Sequence, residues 1–502
     1  MKSKKTALVI ASIVLCGLGA WLALSSPYRE KTYLVNTGTC KLETTAVEKR
    51  ETMTQGTVVL FHGISANKRI MSYLARGFAE QNLRVYVPDF PGHGHGAGPF
   101  SVERSEECGE ALVQKLLASG LADPNRMIIA GHSMGGAIAL RVGARVPVAG
   151  VVAFSPAPMK VAHGVSPEIL LVKDPGPLPK HFLVISGTLE PEGMRGNAAD
   201  LVSSRHDGTA QYIEIPRTTH VSMLFSSAVL HAAQNWTRQT LQLTGTGGTP
   251  SLRQLYGALA GLFGLLLLAN PFLREITGKK ENKQEAGTGN AVPLGRMLLV
   301  FAGAALLAVT LLHFWKPVPL VRVFQGDYLA TFLLLVGTLL LLSRWKGLSE
   351  QLPRKSRGAL GAAVGGLIIF LLFTAWFELS LYEAWLTLAK WARFLFLFVM
   401  LLPYHFAEEI FLGPVASRKG WHRLGAGLTL RIVAWCALVL GVLYLHSGEI
   451  LMVLLAPYFV LVQALQRRGM DIVREETGSA AATAVFGAIL LAGFCLVIFP
   501  IT

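Results

Sequence analysis

Between residues 254 and 500 the chain is built of apolar runs separated by short charged loops. The runs fall near 254–272, 293–314, 327–343, 358–378, 391–412, 424–446, 450–466 and 479–500. A helix needs about 20 mostly apolar residues to cross a hydrocarbon core roughly 30 Å thick. Within lipid only helices and closed barrels satisfy every backbone polar group. Runs of this length without strand-like alternation predict eight membrane-spanning helices. A ninth precedes them: Lys2, Lys4 and Lys5 are followed by an apolar run from Thr6 to Leu24. It is longer than the usual core of a signal peptide. We therefore expect an uncleaved anchor over residues 1–29, with a cleaved signal peptide as the alternative. Composition agrees, since 52% of residues are hydrophobic and 15% charged, where soluble domains carry roughly 25% charged residues.

The loop charges give an orientation. With the N-terminus inside, one set of alternate loops holds Arg274, Lys279, Lys280 and Lys283, then Arg344, Lys346, Arg354, Lys355 and Arg357, then Arg418, Lys419 and Arg423, and lastly Arg467, Arg468 and Arg474. The opposite loops hold only Lys316, Arg322 and Lys390, with Arg393 near the outer end of its span. Lys and Arg collect on the cytoplasmic side, so this pattern predicts nine spans with the N-terminus in and the C-terminus out. The net charge of +15 is accounted for by such loops. No basic stripe with interleaved aromatics points to nucleic acid.

Residues 30–245 have a different texture, and the polar stretch Thr244 to Ser251 separates them from the membrane region of residues 246–502. Short apolar β-branched runs end at Phe61, Pro88, Ala130, Phe154, Ile185 and Ile215, and helical stretches lie between most of them. That alternation predicts an α/β fold with a doubly wound, mostly parallel sheet, beside an all-α polytopic membrane domain. Of the five cysteines, Cys16, Cys436 and Cys495 lie in apolar runs. Cys40 and Cys108 lie in the hydrophilic part and could pair if it faces an oxidising compartment.

The strand ending at Ala130 runs into Gly131-His-Ser-Met-Gly135 and then into a helix. A G-x-S-x-G sequence in that context forms a sharp elbow that presents the serine at the carboxyl end of a sheet. Gly131 and Gly135 are needed because side chains there would collide across the turn. The helix that follows turns its N–H groups toward developing negative charge. Ser133 is therefore the candidate nucleophile.

Together with Leu60-Phe-His-Gly63 and Asp89-Phe-Pro-Gly-His-Gly94, this stretch resembles the α/β-hydrolase superfamily, and within it the serine aminopeptidase and monoglyceride-lipase-like branch. The resemblance covers about residues 55 to 240. It implies a serine, acid and histidine in that order. His220, in Thr218-Thr-His-Val-Ser222 after the last strand, stands where the family places its base. His163, His181 and His206 are less well placed. The acid follows the strand that ends near Ser186. Gly187-Thr-Leu-Glu190 puts Glu190 where the family more often has Asp, and Glu192 is the alternative. The oxyanion hole would be formed by the N–H groups of Met134 and Ile64, with His62, Gly63, Gly131 and Gly135 in support. His93, His95 and Asp89 read as structural, and no metal or other cofactor is expected. Only about 26 residues separate Phe154 from His181, where large lids of the family are inserted, so an open site suited to a bulky or surface-bound substrate is expected.

Inside the membrane region, His405, Glu408 and Glu409 share one face of their span and Arg431 lies on the next. Ionisable groups within spans mark functional sites by default, and we expect the glutamates to pair with Arg431. Tyr404-His-Phe-Ala-Glu-Glu-Ile-Phe411 resembles the paired-glutamate motif of bacterial intramembrane CAAX-protease-like proteins. Gly413, however, stands where that family carries an Arg. The whole reads as a membrane-bound serine hydrolase of a carboxylic ester, with the lipid bilayer and a small-molecule or lipid ester as its expected partners. It would sit in a bacterial cytoplasmic membrane with the hydrolase domain outside. The alternative is a transporter or lipid carrier whose hydrolase domain processes or only binds the cargo.

Overall fold

The computed structural model describes all residues except 1, 166, 168–169, 173–175, 278–291, 346–356, 414–419 and 446. Pro175 and the loop residues Lys279, Lys280, Lys283, Lys346, Arg354, Lys355, Arg418 and Lys419 lie outside the described residues. The chain divides into two compact units. One comprises Ala20–Ala258, Phe377–Trp385 and Pro500–Thr502. The other comprises Met1–Gly19, Leu259–Trp376 and Leu386–Phe499. The boundaries expected at 29 and 245 thus shift, and two distant segments join the first unit.

The first unit is an eight-stranded sheet. In chain order its elements are β1 (Tyr28–Asn36), β2 (Lys41–Lys49), β3 (Gly56–Phe61), α2 (Ser72–Ala79), β4 (Leu83–Pro88), α3 (Val102–Ala118), β5 (Met127–His132), α4 (Met134–Arg145), β6 (Gly150–Phe154), β7 (Phe182–Gly187), α5 (Glu192–Ser203), β8 (Ala210–Ile215) and α6 (Ser227–Leu241); the helix α1 (Lys2–Leu24) that precedes them belongs to the second unit up to Gly19. The strand order is β1-β2-β4-β3-β5-β6-β7-β8. The strands β4, β3, β5, β6, β7 and β8 pair in parallel, whereas β1 and β2 form an antiparallel hairpin on β4. That hairpin is absent from the sequence reading because β1 is almost wholly solvent-facing and carries no apolar run to announce it.

Strands β5, β6 and β7 are buried at every residue, as a sheet covered by helices on both faces requires. Val58, Leu60, Ile128, Ala130, Val152 and Phe154 pack with Leu74 and Phe78 of α2 and with Val229, Leu230 and Trp236 of α6. Each such side chain stabilises by about 1.5–3 kcal/mol when fully buried. From β3 the chain passes through α2 to β4 on one side, then returns through α3 to β5 on the other. Strand order therefore reverses between β3 and β5, and the crevice beyond their carboxyl ends is where α/β sheets bind ligands. Phe61 and Gly131 lie opposite each other at that edge. Cys40, just before β2, is disulfide-bonded to Cys108 of α3, with a Cα–Cα distance of 5.6 Å.

The second unit is helical. Its helices are α7 (Arg253–Ile276), α8 (Leu294–Phe314), α9 (Gly326–Leu342), α10 (Arg357–Ser380), α11 (Leu388–Leu412), α12 (Trp421–Tyr444), the short α13 (Leu451–Leu454), α14 (Ala456–Thr477) and α15 (Ala480–Ile498). Among the described residues seven helices are long and apolar enough to cross a membrane: Thr6–Leu24, Arg253–Ile276, Leu294–Phe314, Gly358–Ser380, Leu388–Leu412, Trp421–Tyr444 and Ala480–Ile498. Small residues let backbones approach. A Cβ on Gly337 would lie 2.3 Å from the Tyr404 nitrogen, so α9 and α11 touch closely there.

Two of the expected spans differ. The run at 327–343 forms the 17-residue α9. The run at 450–466 breaks into α13 and α14, and α14 continues to Thr477 through a charged stretch. Arg467 and Arg474, assigned to an inner loop by the sequence reading, are buried within that helix, and Arg423 is buried in α12. These three therefore do not count among solvated loop charges. Their positions are set by carboxylates on neighbouring helices, described below.

Candidate active site

Ser133 stands between β5 and α4 with φ 56° and ψ −120°. This sparsely populated conformation costs of order 1–3 kcal/mol and persists only where its surroundings enforce it. The enforcement is visible. Ser133 N–H donates to the Phe154 carbonyl at 2.9 Å, and the Ser133 carbonyl accepts from Ala157 N–H at 2.9 Å. A Cβ on Gly131 would lie 2.1 Å from the Gly135 carbonyl oxygen, and one on Gly135 would lie 2.5 Å from those of Phe61 and His62. Only glycine allows the elbow to close at these two positions. Met134 opens α4, so its N–H has no acceptor one turn back.

The loop after β3 meets the elbow at Gly63, where a Cβ would lie 3.0 Å from that of Ser133. His62 fixes this loop: its Nδ1 donates to the Gly63 carbonyl at 2.8 Å and its Nε2 accepts from Phe90 N–H at 3.0 Å. Burial lowers its pKa, so the ring stays in the neutral form that can do both. Ile64 follows Gly63 and leads into Ser65, which holds a left-handed φ of 55°.

Glu190 and His220, the candidate acid and base, are brought together by their loops. Leu189 N–H donates to the Thr218 carbonyl at 3.0 Å and Thr188 N–H to the Ile215 carbonyl at 3.0 Å, joining the turn after β7 to the segment after β8. His220 Nδ1 lies 2.8 Å from Glu190 Oε1, and Glu190 Oε2 accepts from Gly187 N–H at 3.0 Å. Of the two carboxylates left open by the sequence, Glu190 faces His220, while Glu192 begins α5. On the other side, His132 Nε2 donates to the His220 carbonyl at 2.9 Å and the two rings lie 4.7 Å apart. Burial and the neighbouring His220 keep the His132 pKa well below its usual value. The chain neighbour of Ser133 therefore holds His220.

One participant went unnoticed in the sequence. Ser155, at the end of β6, hydrogen-bonds through its hydroxyl to Glu190 Oε1 and lies 2.8 Å from His220 Nδ1. It has φ 42°. Its signal was positional: a serine at the carboxyl end of a central parallel strand, two strands from the switch point.

His93 Nδ1 donates to the Pro91 carbonyl at 3.1 Å. His95 lies in a charged cluster with Glu43, Lys68, Asp89, Glu378 and Glu383. Glu43, His95 and Glu383 offer ligand atoms within 4.8 Å of one another, yet the Lys68 ammonium sits among them, 2.9 Å from Glu43 and paired with Glu383. The ammonium takes the place a metal ion would need.

In the helical unit, Arg431 forks onto Glu408 with contacts of 2.7 and 2.8 Å. It also donates to Gln466 Oε1 at 2.7 Å. Glu409 pairs with Arg423 at 2.5 Å and with Arg467 at 2.6 Å, and Asp471 with Arg467 at 2.7 Å. His405 Nε2 accepts from the Gln466 amide at 3.1 Å. The sequence reading found four members of this cluster. It missed Arg423, Gln466, Arg467 and Asp471, although Gln463, Arg467, Asp471 and Arg474 recur every three or four residues along α14. Each of these three carboxylates is held against arginine, an arrangement that fixes the helices together.

Residues 52–245 match the family model of serine aminopeptidases. They form an α/β-hydrolase domain. The hydrolase domain is similar to the esterase YjfP of Escherichia coli, 31% identical over 100 residues, which are 18% of this chain and 40% of that protein. It is also similar to a monoacylglycerol lipase of Mycolicibacterium smegmatis, 32% identical over 127 residues, which are 24% of this chain and 45% of that protein. The chain thus spans less than half the length of these curated relatives. Among solved structures, a serine hydrolase without lid from Xanthomonas campestris is 18% identical, with 44% of this chain and 98% of that one covered and a TM-score of 0.36. A monoacylglycerol lipase of Paleococcus ferrophilus is also 18% identical, with 40% and 98% covered and a TM-score of 0.32.

Proposed function

We propose that the chain is a membrane-bound serine hydrolase that cleaves a carboxylic ester, with lipid esters as the substrate class, through an acyl-enzyme on Ser133. The observation that carries this reading is the grip on His220. With its Nδ1–H directed to Glu190 Oε1 at 2.8 Å, the ring presents the lone pair of Nε2. That nitrogen takes the proton of Ser133 Oγ as the oxygen attacks the ester carbonyl. Met134 and Ile64 N–H groups receive the oxyanion, each such donor being worth about 10²–10³ in rate. His220 then protonates the leaving alcohol, and a water activated by the same ring releases the acid. The names of the curated relatives, an esterase and a monoacylglycerol lipase, support an ester over an amide.

The membrane would be a bacterial cytoplasmic membrane with the N-terminus inside and the hydrolase domain outside. The loop charges favour this orientation. So does the Cys40–Cys108 disulfide, because such bonds persist in oxidising compartments. A second reading, a transporter or lipid carrier whose hydrolase domain processes or only binds the cargo, draws on the buried cluster around Glu408 and Arg467, which serves no step of ester cleavage.

Fluorophosphonate labelling of the purified protein tests the first reading. Wild type should label, Ser133→Ala should not, and His220→Ala and Glu190→Ala should label at least tenfold more slowly. A folded wild type that takes no probe would sink the proposal and leave the carrier reading standing.

A further inference from the structure

The loop that begins at Gly63 is held by residues far outside the matched 52–245 stretch. Phe377–Trp385 belongs to the same compact unit as the sheet, and its middle grips the loop at three points. The Tyr382 hydroxyl donates to the Ser65 carbonyl at 3.0 Å. The Glu383 carbonyl accepts from the Asn67 side-chain amide at 3.3 Å. The Glu383 carboxyl pairs with the Lys68 ammonium, whose backbone N–H donates to Asp89 Oδ1 at 2.8 Å.

The gripping segment is itself fixed. Glu378 accepts from the backbone N–H groups of Ala384 at 2.8 Å and Trp385 at 3.0 Å. The Glu383 and Asp89 carboxyls meet under the glycine loop: a Cβ on Gly94 would lie 2.3 Å from Glu383 Oε2 and 2.7 Å from Asp89 Oδ2. Burial and the charge of Asp89 push Glu383 up to about 8, while its hydrogen bond with Glu383 and the charge of Lys68 bring Asp89 down to about 2. Ser65 needs such support, because its φ of 55° is a conformation a serine does not hold alone. Ile64 lies between Gly63, which abuts Ser133, and Ser65, which carries the Tyr382 bond. A shift at Ser65 is therefore a shift of the Ile64 N–H.

We infer that Tyr382 and Glu383 are positioning residues for the oxyanion loop, so that the catalytic unit is completed by a segment more than 130 residues beyond the hydrolase domain. This inference rests on the serine-hydrolase reading.

The test uses the full-length protein, with p-nitrophenyl butyrate as substrate and a fluorophosphonate as the acylation probe. Tyr382→Phe removes one oxygen atom from a partly buried ring and should leave folding intact. It should lower kcat and the labelling rate together by about 10- to 100-fold with KM little changed, as expected when a donor in the site is misplaced. Glu383→Ala should do the same. Glu383→Gln, which can still donate to Asp89, should recover most of the rate near neutral pH. Wild-type rates in both Tyr382→Phe and Glu383→Ala would overturn the inference while the hydrolase reading stands. A wild type that takes no probe would sink both.

Discussion

Ser155 carries two unusual features at once: a hydroxyl bound to the acid and near the base, and a backbone φ of 42° that favours glycine. The two separate by substitution. Ser155→Ala keeps the strain and loses the hydroxyl. Ser155→Gly loses both. A hydrogen bond to a charged group is worth about 1.5–3 kcal/mol, so both variants should lose roughly tenfold or more in kcat, while thermal unfolding should place the glycine variant above the alanine one. Equal rates to wild type in both would reduce Ser155 to a packing residue. The candidate nucleophile Ser133 and acid Glu190 were legible in the sequence because each follows a buried strand whose apolar run announces it, whereas His220 follows the half-exposed β8 and was legible through the family resemblance. Ser155 also follows such a strand, yet a serine before a proline reads as a turn, and only the packing of β6 between β5 and β7 turns it toward Glu190. Tyr382 and Glu383 carried no such signal, since their partners are some 300 residues away in the chain.

At the level of elements, the parallel strands were readable and the β1–β2 hairpin was not. Strands covered on both faces must be continuously apolar, whereas an edge hairpin satisfies its solvent side with Arg, Glu, Lys and Thr. Helix α14 shows the opposite failure. Its charges suggested a loop because a solitary arginine in lipid is expensive, and although the Glu408–Arg431 pair was expected, the sequence does not reveal that Glu409 and Asp471 await Arg423 and Arg467. Removing one member of a buried pair leaves an uncompensated charge and costs about 3–5 kcal/mol. Arg431→Met should therefore destabilise the detergent-solubilised protein by about that amount, measured by chemical unfolding. Combining it with Glu408→Gln should cost clearly less than the sum of the single changes. Strict additivity would show that α11 and α12 do not depend on this pair.

For the whole molecule, the orientation proposed from the loop charges and the disulfide has a direct consequence. A membrane-impermeant fluorophosphonate should label Ser133 in intact cells as completely as in lysed ones. Labelling that requires lysis would put the catalytic unit inside and turn the topology over. The catalytic unit is also discontinuous. It takes in Phe377–Trp385, the end of α10 and the link that follows it, and Ile501 donates to the Gly92 carbonyl at 3.3 Å and accepts from Phe100 N–H at 2.7 Å. A ribosome makes residues in order, at about 5–20 per second. The sheet of residues 28–215 is therefore synthesised well before the parts that brace its loops. On the proposed reading the catalytic unit is whole only once Phe377–Trp385 and Ile501 have left the ribosome, so activity is expected to follow the synthesis of helices α7 to α15.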